Sequence, residues 1–137
     1  MACWLLKSEP ATWSWARQVE AGANGTPWDG VRNHAAKNHL MAMAVGDEAL
    51  FYHSGDEKAV VGVVVVTRPY HPDPSDPKGQ FGMVDVAAKE ALPRPVALAA
   101  IKAEPRLAGM VLVNNSRLSV QPVTPDEWDL ILAMGRG

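Results

Sequence analysis

Four short segments of this 137-residue chain set polar side chains beside glycine, proline or an aromatic ring, in combinations that core packing does not require. They are Lys7-Ser8-Glu9-Pro10, Trp28-Asp29-Gly30-Val31-Arg32-Asn33, Tyr52-His53-Ser54 and Ser116-Arg117-Leu118-Ser119. Three fall at a strand end or a loop-to-helix junction, where a rigid scaffold usually presents its site-bearing loops. Brought together, they supply indole and phenol faces for stacking, carbonyl, amide and hydroxyl groups for the edge of a base, and guanidinium groups for phosphate or base. Each also has a plainer reading. Trp28 serves equally as a core residue, because tryptophan dominates packing wherever it is buried. Arg32 and Arg117 suit surface ion pairs, Asn33 suits a helix cap, and Lys7, Ser8 and Glu9 suit a solvated strand end.

Covalent and proton-transfer chemistry find less support. A serine nucleophile needs a base within hydrogen-bond reach and a third group to orient that base. His53 and Ser54 are consecutive, and neighbours on a strand face opposite ways. No serine stands in the Gly-x-Ser-x-Gly setting of a hydrolase elbow. His34 and His39, five apart, fall off a common helix face, and Cys3 is the single cysteine, so neither a metal site nor an internal disulfide is expected. Phosphate-cradling glycine loops are absent. The expectation is a binding module with no catalytic residue, cofactor or metal. Glu9 with His53 is kept as the basis of an alternative, a small nucleotide-processing enzyme, and an exposed edge strand or tryptophan as that of another, a protein-interaction module.

The elements that would position these residues follow from the apolar pattern. Residues 2–6 form an unbroken apolar run ending in Lys7-Ser8-Glu9 and Pro10, which reads as a buried strand stopped by proline. Thr12 or Ser14 caps a short helix that runs to Ala21, and Asn24-Gly25 signals a turn. Within 32–43, Ala36, Leu40 and Met43 recur at helical spacing behind Asn33. Positions 48–54 alternate, so that Leu50, Tyr52 and Ser54 share one face and Ala49, Phe51 and His53 the other. The valine-rich stretch 59–68 suits a strand covered on both faces at the centre of the sheet. Four prolines make 69–82 a surface loop, and 83–88 reads as a further strand. Two short helical stretches broken at Pro105 fall within 95–109, and 112–123 reads as irregular or extended. Thr124-Pro125-Asp126-Glu127 opens a last helix with Trp128, Ile131 and Leu132 as its apolar stripe. Strands this close in sequence leave no room for repeated βαβ crossovers, so a mostly antiparallel curved sheet or small barrel with packed helices is expected.

Composition bounds the function. With 47% hydrophobic and 20% charged residues, the chain has the make-up of a globular protein, and its length suits one domain spanning 1–137. A net charge of −2 argues against holding long duplexes by charge alone, because that affinity comes from Lys and Arg neutralising phosphates. It leaves room for a protein that grips one base. The lone cysteine and the absence of a basic, then apolar, leader fit a cytoplasmic location. The longest apolar run, 60–66, is far short of the roughly 20 residues that span a bilayer, so no membrane partner is expected.

Taken together and in order, the segments resemble the EVE domain family. The resemblance is carried by Trp4-Leu5-Leu6-Lys7-Ser8-Glu9-Pro10, Trp28-Asp29-Gly30-Val31-Arg32-Asn33, Val45-Gly46-Asp47 leading to Phe51-Tyr52-His53-Ser54, Tyr70-His71-Pro72-Asp73-Pro74, Arg94-Pro95-Val96, and Arg117-Leu118-Ser119-Val120-Gln121-Pro122-Val123. It implies an α+β fold of the PUA-like class, a curved, mostly antiparallel β-barrel with surrounding short helices. It also implies a reader of one flipped, modified base, such as 5-methylcytosine or a derivative, in DNA or RNA. By motif position the pocket would draw on Lys7, Ser8, Glu9, Trp28, Arg32, Asn33, Tyr52, His53, Ser54, Arg117, Leu118 and Ser119. Trp28 and Tyr52 would be walls, Ser8, Glu9 and Asn33 would meet the base edge, and Lys7, Arg32 and Arg117 the phosphates. One stretch departs from the pattern: His34-Ala35-Ala36-Lys37-Asn38 stands where an aromatic or glutamine followed by Ala-Arg-Asn is expected. Lysine there keeps the charge but loses the planar fork.

Overall fold

Trp4-Leu5-Leu6 and the valines of 59–66 are continuous apolar runs, and such runs belong to strands with no solvent face. The computed structural model, which describes residues 2–115 and 117–137, is built that way. Its strands are β1 (Cys3–Ser8), β2 (Thr26–Pro27), β3 (Glu48–His53), β4 (Ala59–Pro72), β5 (Gly82–Ala97) and β6 (Val120–Val123), joined in the order β2-β5-β4-β3-β1-β6. The valine-rich β4 is central, as its composition predicts. β1 and β3 run parallel, whereas the β1–β6, β2–β5, β3–β4 and β4–β5 ladders are antiparallel.

Alternation splits the core between the two faces. Trp4, Leu6, Phe51, Val64, Val66, Val84 and Val86 point to one, where α2 (His34–Ala42) covers them with Ala36 and Leu40. Leu5, Leu50, Tyr52, Val63, Leu92 and Val96 point to the other, under α3 (Leu98–Ala103) and α5 (Pro125–Arg136), which contribute Ile101, Trp128, Ile131 and Leu132. Burying side chains of this size contributes about 1.5–3 kcal/mol each, which makes this two-sided core the main source of stability. Local chemistry agrees with the packing. Ser14 caps α1 (Trp15–Glu20), Asn33 caps α2, and Thr124 and Glu127 form a reciprocal capping box at α5.

The expected α+β, mostly antiparallel sheet is present, but it is open: β2 and β6 are its outer strands, and two and four residues are too few to close a barrel. Register shifts recur along the β4–β5 ladder, the kind of irregularity that bends and twists a strand pair. The expected loop at 69–82 is shorter, because β4 continues to Pro72 and β5 begins at Gly82. β5 also runs past the expected 88 to Ala97 and carries Pro93 and Pro95, which it tolerates because β2 pairs only with Asp85 and Val86 and does not reach them. A one-turn helix, α4 (Val111–Asn114), occupies part of the stretch expected to be irregular. Ser116 lies outside the described residues. Among those residues no helix is long and apolar enough to cross a membrane.

Gly62, paired with Phe51 across β3 and β4, is a place where only hydrogen fits. A Cβ there would lie 2.5 Å from the Trp15 ring, which packs edge-on to Phe51 at 5.2 Å. Gly62→Ala should therefore displace the indole and destabilise the protein by about 1–3 kcal/mol, the usual cost of overpacking. Urea unfolding followed by tryptophan fluorescence tests this, and a wild-type midpoint would contradict the packing described.

Candidate functional site

Pro10 stops β1, and the chain turns at once: the Glu9 carbonyl accepts the N–H groups of Thr12 and Trp13, each at 2.9 Å. The Ser8 hydroxyl donates to the Trp13 carbonyl at 2.5 Å and holds the turn against the strand end. Opposite it, the Trp28 N–H donates to the Val84 carbonyl at 2.8 Å, which fixes the chain as it leaves β2. Between the two lies a cleft of about 560 Å³, lined by Lys7, Ser8, Glu9, Thr12, Trp13, Thr26, Pro27, Trp28, Asp29 and Gly30. The fully buried Gln18 braces both walls. Its Oε1 accepts the Trp13 indole N–H at 2.9 Å, and its Nε2 donates to Thr26 Oγ1 at 3.1 Å and to the Val86 carbonyl at 3.2 Å.

The far rim hangs on Asp73. Gly30 sits at φ +78°, a conformation glycine adopts without strain, and turns its N–H to Asp73 Oδ2 at 2.9 Å. The same oxygen takes Arg32 Nη1 at 3.2 Å, and Oδ1 takes the Ser75 N–H and hydroxyl at 2.8 and 2.6 Å. Burial alone would raise the Asp73 pKa. The bonds from Ser75, Gly30 and Arg32 outweigh it and hold the carboxyl at about 2.

The candidate residues divide by location. Lys7, Ser8, Glu9 and Trp28 meet in the cleft. Trp28 is only 7% exposed and packs edge-on to Phe51 at 5.5 Å, so it is a core residue that also forms part of the cleft wall. Burial lowers the Lys7 pKa, and its ammonium lies 5.8 Å from the Tyr52 ring centroid. Tyr52 turns to the opposite core and is not among the residues that line the cleft. The strand period decides this, because Phe51 and His53 take the near face. His53 stands behind the cleft. Its Nε2 accepts the Trp15 N–H at 3.0 Å, and Nδ1 donates to Glu57 at 2.7 Å. The Ser54 N–H donates to the Ser8 carbonyl, and the Ser119 carbonyl accepts the Lys7 N–H, both at 2.9 Å. Asn33 is spent as the α2 cap, with Oδ1 accepting the Ala36 N–H at 2.9 Å. Arg32 is held by Val31, Asp73 and Ser75. Leu118 is buried in the near core, and Arg117 is exposed.

Trp13 is the residue the motif reading passes over. It sits between Pro10 and the Ser14 cap, outside any helix or strand yet partly buried against the near core, and a large apolar ring at such a position is the signal in the sequence. Among the described residues no group of three His, Cys, Asp or Glu side chains is placed to hold a metal ion.

The same fold recurs in known proteins. The family model described as EVE domain matches residues 2–134. Human thymocyte nuclear protein 1 is 32% identical over 96% of this chain and 72% of its own length. The crystal structure of human THYN1 protein in complex with 5-methylcytosine-containing DNA superposes with a TM-score of 0.92 at 31% identity, covering 100% of this chain and 99% of that one. The NMR structure of a protein from Rhodopseudomonas palustris gives 0.93 at 55% identity over 98% and 93% of the two chains. A YTH domain from Zygosaccharomyces rouxii shares the fold, with a TM-score of 0.60 at 18% identity over 98% and 86%.

The low Asp73 pKa has a stability consequence of definite sign. Its folded value lies below the ordinary 3.8, so its contribution is complete above about pH 4 and is lost as the pH falls towards 2. The shift corresponds to about 2 kcal/mol. Asp73→Asn should therefore be less stable than wild type by about 2 kcal/mol at pH 6, with the gap closing near pH 2. Denaturant unfolding across that range checks it, and a gap independent of pH would refute the assignment.

Proposed function

The chain belongs to the EVE domain family, and on that premise we propose that its cleft holds a single base of DNA or RNA, turned out of its stack and carrying a modification such as the 5-methyl group of cytosine, without transforming it. The observation that carries the reading is a cleft between two braced tryptophans, with a buried serine at its base and two exposed carboxylates at its mouth. Its volume lies within the few hundred to 1,000 Å³ usual for small-ligand sites. Trp13 and Trp28 provide apolar walls. Glu9 and Asp29 suit the exocyclic amino group of cytosine, which donates hydrogen bonds to carboxylates. Arg117 is a cation for a neighbouring phosphate, whereas the Lys7 ammonium lies beside Tyr52 on the other face of the sheet from Trp28. The relative that carries 5-methylcytosine DNA supports the choice of ligand.

The energies are compatible. Extrusion of a base costs a few kcal/mol, and stacking on aromatic side chains returns about 1–3 kcal/mol per base. A buried methyl group adds about 0.8 kcal/mol. The enzyme alternative, which used Glu9 and His53, draws less support, because both His53 ring nitrogens are already bonded, Nε2 to the Trp15 N–H and Nδ1 to Glu57.

Titration of intrinsic fluorescence with short strands containing cytosine, 5-methylcytosine or 5-hydroxymethylcytosine tests the reading. Quenching should favour a modified form. Trp13→Ala should weaken it by at least about fivefold, the low end of a lost stacking contact, and urea unfolding of the variant shows whether the near core against which Trp13 packs is kept. Equal affinity for all three strands, or an unaffected Trp13→Ala protein, would count against the proposal.

A further inference from the structure

A phenylalanine surrounded by basic side chains stands beside the cleft. Phe81 is half-buried at the end of the 73–81 loop. Its ring centroid lies 5.8 Å from the Arg32 guanidinium carbon, 5.6 Å from the Lys37 ammonium and 5.0 Å from the His34 ring centre. The loop is fixed from within, because Asp76 accepts the N–H groups of Lys78, Gln80 and Phe81 at 3.0, 2.8 and 2.8 Å.

The fold gains little from this arrangement. A cation over an exposed aromatic face contributes about 0.5–1 kcal/mol, whereas like charges gathered on one ring repel. No acidic side chain stands in the first turn of α2 to offset them. Among the described residues neither His34 nor Lys37 makes an ion pair, and Arg32 pairs with the buried Asp73. Asp73 offsets Arg32, with Asp76 acting on it as well, so the charge left for an outside anion to balance is that of Lys37. The cluster adjoins the cleft, because one oxygen of Asp73 takes both Arg32 and the N–H of Gly30 on the cleft rim.

We infer that Phe81, His34, Lys37 and Arg32 form a second contact, which takes the phosphodiester flanking the base in the cleft. The inference rests on the base-binding reading. Lys37 supplies a point charge and His34 an N–H donor, while Phe81 excludes water from one side. A contact of this kind recognises the backbone and ignores the sequence.

Amide-resolved NMR titration tests it with three probes: 5-methyldeoxycytidine nucleoside, a trinucleotide centred on 5-methylcytosine, and its unmodified counterpart. The nucleoside should shift cleft amides such as those of Ser8, Trp13 and Gly30. The modified trinucleotide should also shift those of residues 34–37 and Phe81. Lys37→Gln should reduce the slope of log K against log salt by about 0.7, the share of one single-strand phosphate contact. Shifts confined to the cleft, or an unchanged salt slope, would overturn the second contact and leave the base reading standing. Both trinucleotides shifting 34–37 and Phe81 with a silent cleft would do the reverse. Silence with every probe would overturn both.

Discussion

A strand covered on both faces has no solvent side, so its polar side chains are confined to its ends. β1 and β3 obey this rule: Trp4 to Leu6 and Ala49 to Tyr52 are buried, and polar character begins at Lys7 and His53. Because the two strands run parallel, with Ser8 opposite His53, both polar ends emerge at the same edge of the sheet. An antiparallel pairing would have sent them to opposite edges. The parallel ladder is therefore what gathers Ser8, Glu9, the Trp13 turn and Ser54, and the cleft follows from it.

Gathering polar groups at a buried edge creates an obligation, since each one left unpaired costs about 1–3 kcal/mol. The structure meets it with bonds that also fix the walls. Ser8 binds the Trp13 carbonyl, Gln18 links Trp13 to β5, His53 receives the Trp15 N–H, and Asp73 holds Gly30. Such a cleft loses little side-chain freedom when it is filled, and a preorganised site converts more of its contact energy into affinity.

The strands, the helix caps and the sheet centre were legible because each has a local cause: continuous apolar runs, Ser14, Asn33 and Thr124 before helices, and a valine-rich β4. Four of the motif residues, Lys7, Ser8, Glu9 and Trp28, meet in the cleft for the same reason, since they mark element ends. What was hidden depends on pairing between distant segments. The extension of β5 through Pro93 and Pro95 depends on how short β2 is, and the Asp73 bond to Gly30 joins residues 43 apart. Tyr52 could have been placed from the sequence alone. The strand period that sets it opposite Phe51 and His53 is a stronger constraint than the motif that groups it with them.

Overall charge is a poor guide to such a site. Exposed charges are screened over about 10 Å at moderate salt, so a phosphate responds to its neighbours and hardly to the rest of the chain. A net charge of −2 is compatible with Arg32, His34 and Lys37 crowding one ring beside the cleft. Glu9 and Asp29 at the mouth would repel a phosphate, yet they suit the amino edge of a base. The proposed division of base and backbone between the cleft and the α2 side follows these two charge environments. A methyl group worth about 0.8 kcal/mol changes affinity only about fourfold, so polar edge contacts would choose the base while the apolar walls respond to its methyl group.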